Sequence, residues 1–447
     1  MMLPSSLPNA PIVASPVAGT AAPSKAQQQL ARITTHQLSN GITLVHNPMV
    51  GVPRLALSVY IKGGNLLDET PGQTDVIDRL LTKGTSTHNS QQVAQALDEL
   101  SLDLGTSTRR DTSVLGGTLL AEDLNASLTW LANLVLDASL KEQGKEVERM
   151  KGELAMELDA PKARAADNLV RGLFANSPYG TTASVLQKHL EELAKPLPLR
   201  NLYERAYRTD RCLISLTGEV NLQQVIDHIE TVFTKHRPST AAAGSSALPA
   251  ILRQRTLTSD VLLTAPRDDA NQAHIYRAWL TPPITHPDYE PLMVLNTLLG
   301  AGGLSSRLFL ELRDKQGLAY NVRSSLEGYQ HRGSFTLYIG TEPSNVQKCL
   351  AGFQQEIDKL LNVPVSDDEL AATKANLLGR RAIQLETAGQ WCGYVGNALV
   401  LGRTLADLAG TTDRLQAVTS GDIQRVAQTY LSQPSVVSIV GPSGCLP

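Results

Sequence analysis

Two rhythms of apolar residues divide this chain. Short runs with an apolar residue at every second position predict strands, and longer stretches with apolar residues three and four apart predict helices. Residues 1–31 follow neither rhythm; rich in Pro, Ala and Ser, they read as a flexible leader. From Arg32 the pattern opens with Gln37–Val45, whose Asn40-Gly41 pair predicts a hairpin turn. A strand over Leu55–Ile61 follows, then a short helix within Pro71–Thr85, a helix over Gln91–Leu100, and strands over Thr106–Thr112 and Ser113–Leu120. Helical spacing covers Leu124–Asp137 and Gly144–Leu158. This part closes with a helix over Leu199–Tyr207, a strand over Cys212–Gly218 and a helix reaching about Lys235.

The second part repeats the logic of the first. Strand patterns lie at Ala273–Leu280 and Ser334–Thr341, and helical ones at Tyr289–Leu299, Val346–Leu361, Asp367–Glu386 and Trp391–Leu401. The closing segments run in parallel: Leu202–Tyr207 then Leu213–Gly218 in one part, Ile423–Tyr430 then Val436–Gly441 in the other. An internal duplication of about 200 residues accounts for this. The division is therefore a leader over 1–31, a first half over 32–236, a low-complexity linker over 237–252 and a second half over 253–447. Strands interleaved with helical hairpins predict α+β units with mainly antiparallel sheets.

Composition narrows the class. A chain of 447 residues with 42% apolar and 19% charged residues is a folded protein too long for one ordinary core. A net charge of −3 makes no case for nucleic acid or an anionic membrane as partner. The short basic pairs Arg109-Arg110 and Arg380-Arg381 read as solvated. Cys212, Cys349, Cys392 and Cys445 are scattered without C-x-x-C spacing, so neither a disulfide scaffold nor a cysteine zinc site is indicated. No membrane span or signal peptide is evident. A chain whose signal has been removed would be periplasmic or secreted, and otherwise cytoplasmic. The nine histidines are dispersed, His88 being a lone loop residue, and no Ser-His-Asp, G-x-S-x-G or phosphate-loop pattern occurs.

The chemistry gathers on the helix within Pro71–Thr85. Thr74 is the expected N-cap and Gly84 the stop, with Val76, Ile77, Leu80 and Leu81 on one face and Asp75, Asp78, Arg79 and Thr82 on the other. By itself this is a surface helix with its charges in water. Its flanks, Gly63-Gly64-Asn65, Asp68-Glu69-Thr70 and Lys83-Gly84-Thr85, change that. The run resembles the first motif of the pitrilysin/insulinase-type zinc peptidases, in the branch that includes mitochondrial processing peptidase. Members carry there a helix with the inverted zinc motif H-x-x-E-H. Without gaps, its two His positions fall on Asp75 and Arg79 and its Glu on Asp78.

Arg79 cannot ligate a metal, because its guanidinium stays protonated and only donates. A unit charge about 4 Å from a dication is repelled by roughly 8 kcal/mol at an effective dielectric of about 20. Asp75 and Arg79 stand four apart in the order that favours a helical ion pair, so that pair, with Asp78 beside it, is expected where relatives hold zinc. The resemblance places a third zinc ligand on a later helix. Glu153, seven residues after Glu146, has that spacing, and Glu157 is an alternative. Glu142, Glu146, Glu148, Glu153 and Glu157 also alternate with Lys141, Lys145, Arg149 and Lys151, the mark of a solvated face. Asn176-Ser177-Pro178-Tyr179-Gly180 is similar to the family's H-P-Y-G loop.

The most specific match lies in the second half. Leu298–Phe309 and Glu311–Tyr320 follow the family signature G-G-G-x-S-S-R-L-F-x-E-x-R-E-x-x-G-L-A-Y almost residue for residue. The resemblance implies two homologous halves closing like a clamshell, with Arg313 and Tyr320 reaching across the chamber to hold the substrate backbone. A guanidinium fork and a phenol suit a peptide carbonyl and the oxyanion formed on hydrolysis. The structural alternative pairs Arg313 with Glu311 or Asp314 and packs Tyr320 in the core.

Three functions follow. The combination of a ruined first motif and an intact second signature implies the non-catalytic, substrate-binding subunit of a heterodimeric zinc metallopeptidase, with zinc in a homologous partner and none in this chain. The second is a self-sufficient peptidase with an Asp75, Asp78 and Glu153 metal set. The third is a structural subunit, like the peptidase-derived core subunits of the respiratory cytochrome complex.

Overall fold

The computed structural model describes residues 25–52, 54–234 and 257–447, and the expected linker lies outside them. Order begins earlier than the leader reading allows: Lys25–Leu30 is helical and buries Leu30. Eleven strands follow among the described residues. They are β1 Thr34–Gln37, β2 Thr43–Asn47, β3 Leu55–Lys62, β4 Asp103–Thr108, β5 Thr112–Leu119 and β6 Cys212–Thr217 in the first half. The second half contributes β7 Val261–Pro266, β8 Ala273–Thr281, β9 Ala319–Gly328, β10 Gly333–Thr341 and β11 Val436–Gly441.

The first sheet runs β1-β2-β6-β3-β5-β4 and the second β7-β11-β8-β10-β9. Removing β1 leaves one topology used twice, in which only the β2–β6 and β7–β11 pairs are parallel. The duplication read from the closing segments is thus a duplication of whole sheets. Strands β7 and β9 escape the periodicity reading. β7 alternates between exposed and half-buried, while β9 is a partly solvated edge strand, and neither makes a long apolar run. The helices Pro161–Leu173, Ala183–Leu193 and Leu405–Ala417 were also not anticipated.

Each half lends a helix to the other. Pro161–Leu173, from the first half, packs on β8 and β11, while Ala388–Val400, from the second, packs on β3 and β6. Both approaches are close enough to demand glycine. A Cβ on Gly396 would fall 2.3 Å from the Tyr60 ring, and one on Gly172 within 3 Å of Leu263 and Val436. This exchange explains why β3 reads as a nearly continuous apolar run, Leu55–Ile61, instead of an alternating one: both of its faces are covered. Tyr60, Val45 and Leu213 pack with Trp391 and Val395 on one crossing, and Tyr276, Ala278 and Val436 with Ala165, Leu169 and Leu173 on the other.

The short basic pairs lie at the surface, with Arg109 and Arg380 exposed, and each arginine also has a partner in the chain. Arg109 donates to Asn397 Oδ1 at 2.7 Å, and Arg110 donates to the Tyr179 carbonyl while lying over the rings of Phe174 and Tyr329. Beside them Asp111 accepts from Tyr179 Oη and from the Gln330 amide at 3.0 Å, so the β4–β5 turn ties the halves together. Arg380 and Arg381 likewise bond the Ala301 carbonyl and Tyr394 Oη. No helix among the described residues is long and apolar enough to cross a membrane.

Candidate functional site

The helix with the altered motif spans Gln73–Leu80, and Gly72 is its N-cap. Thr74 is not the cap. Asp68, from the turn upstream, takes that part: its carboxylate accepts from the Gly72 amide at 3.0 Å, the Thr74 amide at 2.9 Å and Thr74 Oγ1 at 2.5 Å. Gln73 Oε1 reaches back to the amides of Glu69 and Thr70. The free N–H groups of a helix start are thereby satisfied from a turn folded over it. Burial raises the Asp68 carboxyl to about 7 despite these bonds.

Val76, Ile77, Leu80 and Leu81 enter the core as the spacing predicts. The polar residues, however, do not share one wet face. Asp78 is buried and accepts from Thr108 Oγ1 and Tyr207 Oη, both at 2.6 Å; burial raises its pKa to about 6. Asp75 accepts from Asn65 Nδ2 at 2.7 Å, and burial raises its pKa as well.

Arg79 turns the other way. Its Nη1 lies 2.7 Å from Glu153 Oε2 and 3.5 Å from Glu146 Oε1, both on the helix Gln143–Asp159. Arg149 closes the group at 2.5 Å from Glu146 and 3.4 Å from Glu153. The two acids are seven residues apart, so they stand two turns apart on one face. Glu146 is buried, its side chain only 6% exposed, whereas Glu153 is 43% exposed. Arg79 holds the Glu153 carboxyl below its usual range. Burial works against the charge of Arg79, but the two glutamates outweigh it and bind its proton more firmly than usual.

Two sequence expectations are corrected here. Asp75 and Arg79 do not form the expected i,i+4 ion pair, because two carboxylates on the facing helix outcompete one on its own helix and Asn65 takes Asp75. Nor do Asp75, Asp78 and Glu153 make a metal set. Each is committed to a different partner, and among the described residues no group of three His, Cys, Asp or Glu side chains is placed to hold a metal ion. The donor set does not fit zinc: a permanent cation lies against the very carboxylate the metal would need. Glu157 is exposed on the same helix, and the helix is not the uniformly solvated face its charge alternation suggests.

The second signature folds into a tight series of turns. The helix Tyr289–Asn296 widens into a π turn over Thr297–Ala301, and a second π segment spans Phe309–Lys315. Arg307 binds Glu369 bidentately, both contacts at 2.7 Å, and Lys315 takes Glu311 at 2.6 Å. Arg313 has no carboxylate partner among the described residues. Its guanidinium lies 4.6 Å from the Phe309 ring centroid and 4.9 Å from that of Tyr320. The structural alternative for this pair therefore fails on both counts, since Tyr320 is 81% exposed. The cause is a β-bulge. Gly340 pairs with Asn321 and Thr341 with Ala319, leaving Tyr320 as the extra residue, swung out of the alternation that would have buried it.

Reasoning from sequence missed Asn65, Thr108, Tyr207 and the Glu146–Arg149 contact. Tyr207 stands 129 residues from Asp78, and nothing local to either announces the bond. The Asn176–Gly180 loop does reach the site's border, where Tyr179 is buried against Asp111.

Known proteins resemble this chain across both halves. Residues 49–184 match the family model of insulinase (peptidase family M16), and residues 198–377 match the peptidase M16 inactive domain. An uncharacterized zinc protease of Streptomyces coelicolor is 26% identical over 94% of this chain and 91% of its own length. The uncharacterized zinc protease YmxG of Bacillus subtilis is 26% identical over 93% of this chain and all of its own length. Among solved structures, a protease from Helicobacter pylori superposes with a TM-score of 0.82 at 19% identity, covering 92% of this chain and 99% of that one. A peptidase M16 inactive domain from Pseudomonas fluorescens gives 0.81 at 20% identity over 92% and 98%. With both halves matched in order and the signature residues in place, the chain belongs to the insulinase (M16) peptidase family.

Proposed function

We propose that this chain is the non-catalytic, substrate-binding subunit of a two-chain zinc peptidase, working beside a homologous chain that carries the metal. The observation that carries the reading is the contrast between two arginines. Arg79 is neutralised by Glu146 and Glu153, at the place where relatives present zinc ligands. Arg313 is left unneutralised, its faces on two rings and its donors available, beside an exposed phenol. A guanidinium held by aromatic faces keeps its fork free for carbonyl oxygens. The first arrangement removes hydrolysis from this chain; the second leaves it able to grip a peptide.

The test is reconstitution. The purified chain should bind no stoichiometric zinc and cleave no peptide, and a homologous chain with intact H-x-x-E-H should be needed for turnover. Arg313→Ala or Tyr320→Phe in this chain should lower the activity of the mixture by about 100-fold, the scale of losing one donor to a developing oxyanion. Chelator-sensitive proteolysis by this chain alone would overturn the proposal. Undiminished turnover by a mixture containing Arg313→Ala would reduce the chain to a scaffold.

A further inference from the structure

The face of the second sheet covered by Pro161–Leu173 carries a cross-strand row in which Arg323, Tyr338 and Tyr276 stand side by side on β9, β10 and β8. Tyr338 is the centre of this row. The Arg323 guanidinium lies 5.4 Å from its ring centroid, and Lys162 Nζ, from the first-half helix, lies 5.0 Å from the same centroid. Two cations from opposite halves of the molecule are thus gathered on one ring.

Nothing acidic accounts for them. Asp159, three residues before Lys162, is engaged by Arg267 at 3.3 Å, and Glu327, four residues after Arg323, is bonded by Tyr329 Oη. Among the described residues neither Lys162 nor Arg323 has a carboxylate within ion-pair distance. The remaining neighbour is His274, whose Nδ1 lies 3.1 Å from Tyr338 Oη; burial, and then the Lys162 charge, push its pKa below the usual imidazole value. A ring face attracts a cation but does not cancel its charge. Two like charges set against one ring, each about 5 Å from its centre and without a counter-charge, offer a carboxylate a fork and a point charge.

The position gives this pair a task. Arg323 stands three residues beyond Tyr320 on β9, the edge strand of its sheet, which is about 10 Å at the rise of an extended chain. We propose that Lys162 and Arg323 form a carboxylate-recognition subsite, selecting peptides that carry an acidic side chain or a free C-terminus about three residues from the segment held by Arg313 and Tyr320. This rests on the reading that the chain binds peptides. Because Lys162 and Arg323 come from different halves, the subsite is complete only when the halves are packed as described.

Binding of labelled peptides to the full chain, followed by fluorescence anisotropy at low salt, tests it. Three peptides of one apolar sequence serve: one with an internal Glu and an amidated end, one with Gln and a free carboxylate, and one with Gln and an amidated end. At least one charged peptide should bind about 10-fold more tightly than the neutral one, and which one does so identifies the source of the carboxylate. In Lys162→Gln/Arg323→Gln the difference should shrink below twofold with neutral-peptide affinity unchanged, and Lys162→Arg should retain it. Equal binding of all three peptides to the unmodified chain overturns the subsite and leaves peptide binding standing. A preference that persists in the double variant also overturns it. Binding of none overturns both readings.

Discussion

The helix after β3 and the helix after β8 follow corresponding strands of the two sheets, and each gives one residue to a Glu–Arg network: Arg79 in the last turn of the first, Glu290 in the first turn of the second. In the first half Arg79 and Arg149 share Glu146 and Glu153, and the network opens to solvent through Glu153 and the partly exposed arginines. In the second half Glu290 receives Arg403 at 2.7 Å and Arg414 at 2.9 Å, with the Glu290 and Arg403 side chains 5% and 8% exposed. The second network is the deeper one, although its Arg414 is 41% exposed, and it ties Leu405–Ala417 to Tyr289–Asn296. The more open one lies between the helix that carries the altered motif and the facing helix Gln143–Asp159. Ion networks on corresponding helices therefore differ in how deeply their charges are set.

The sharpest way to break this comparison is to remove one charge from each network, the acid Glu290 from the second and the base Arg79 from the first. Glu290→Ala should cost about 3–5 kcal/mol, because it strands the buried Arg403. Arg79→Ala should cost about 1.5 kcal/mol, at the low end for a hydrogen bond to a charged group, since Arg149 still covers Glu146. Denaturant titration of both measures the gap, and equal costs would erase the distinction drawn here.

A smaller effect is expected from pH. Burial lifts Asp78 from 3.8 to about 6 and Asp68 from 3.8 to about 7, so between these values the folded chain holds protons that the unfolded chain releases. These two carboxyls therefore contribute stability that is fully present below about 4 and is lost as pH rises to about 7. The melting temperature should decline across that window, and Asp78→Asn should flatten the decline. A rise in melting temperature over the same window would refute the assignment of these two carboxyls.

The smallest change should come from Arg313→Ala. With no ion pair to lose, it should shift stability by no more than about 0.5 kcal/mol in denaturant titration. A larger loss would make Arg313 a structural residue and weaken the contrast with Arg79.

Much of this was legible in the chain. The four apolar residues of Gln73–Leu81 reached the core as their spacing required, and the closing segments revealed a duplication because sheets impose a strict pattern on what they bury. The strands β7 and β9 were not legible, since an edge strand needs no long apolar run. Tyr320 was legible as a motif residue, but its exposure depends on a one-residue bulge set by the partner strand.

The residues alone established the family frame, the two halves and the misfit of Arg79 with any dication, for these follow from residue type and local spacing. Where each charge finds its partner was decided only by folding. Asp75 had a ready local partner four residues away, yet Arg79 went to Glu146 and Glu153 across the helix interface. Lys162 and Arg323, 161 positions apart, met on one ring because each half lends a helix to the other. Electrostatic pairing depends on distance in space and on burial, and neither is written in the spacing of residues along a chain.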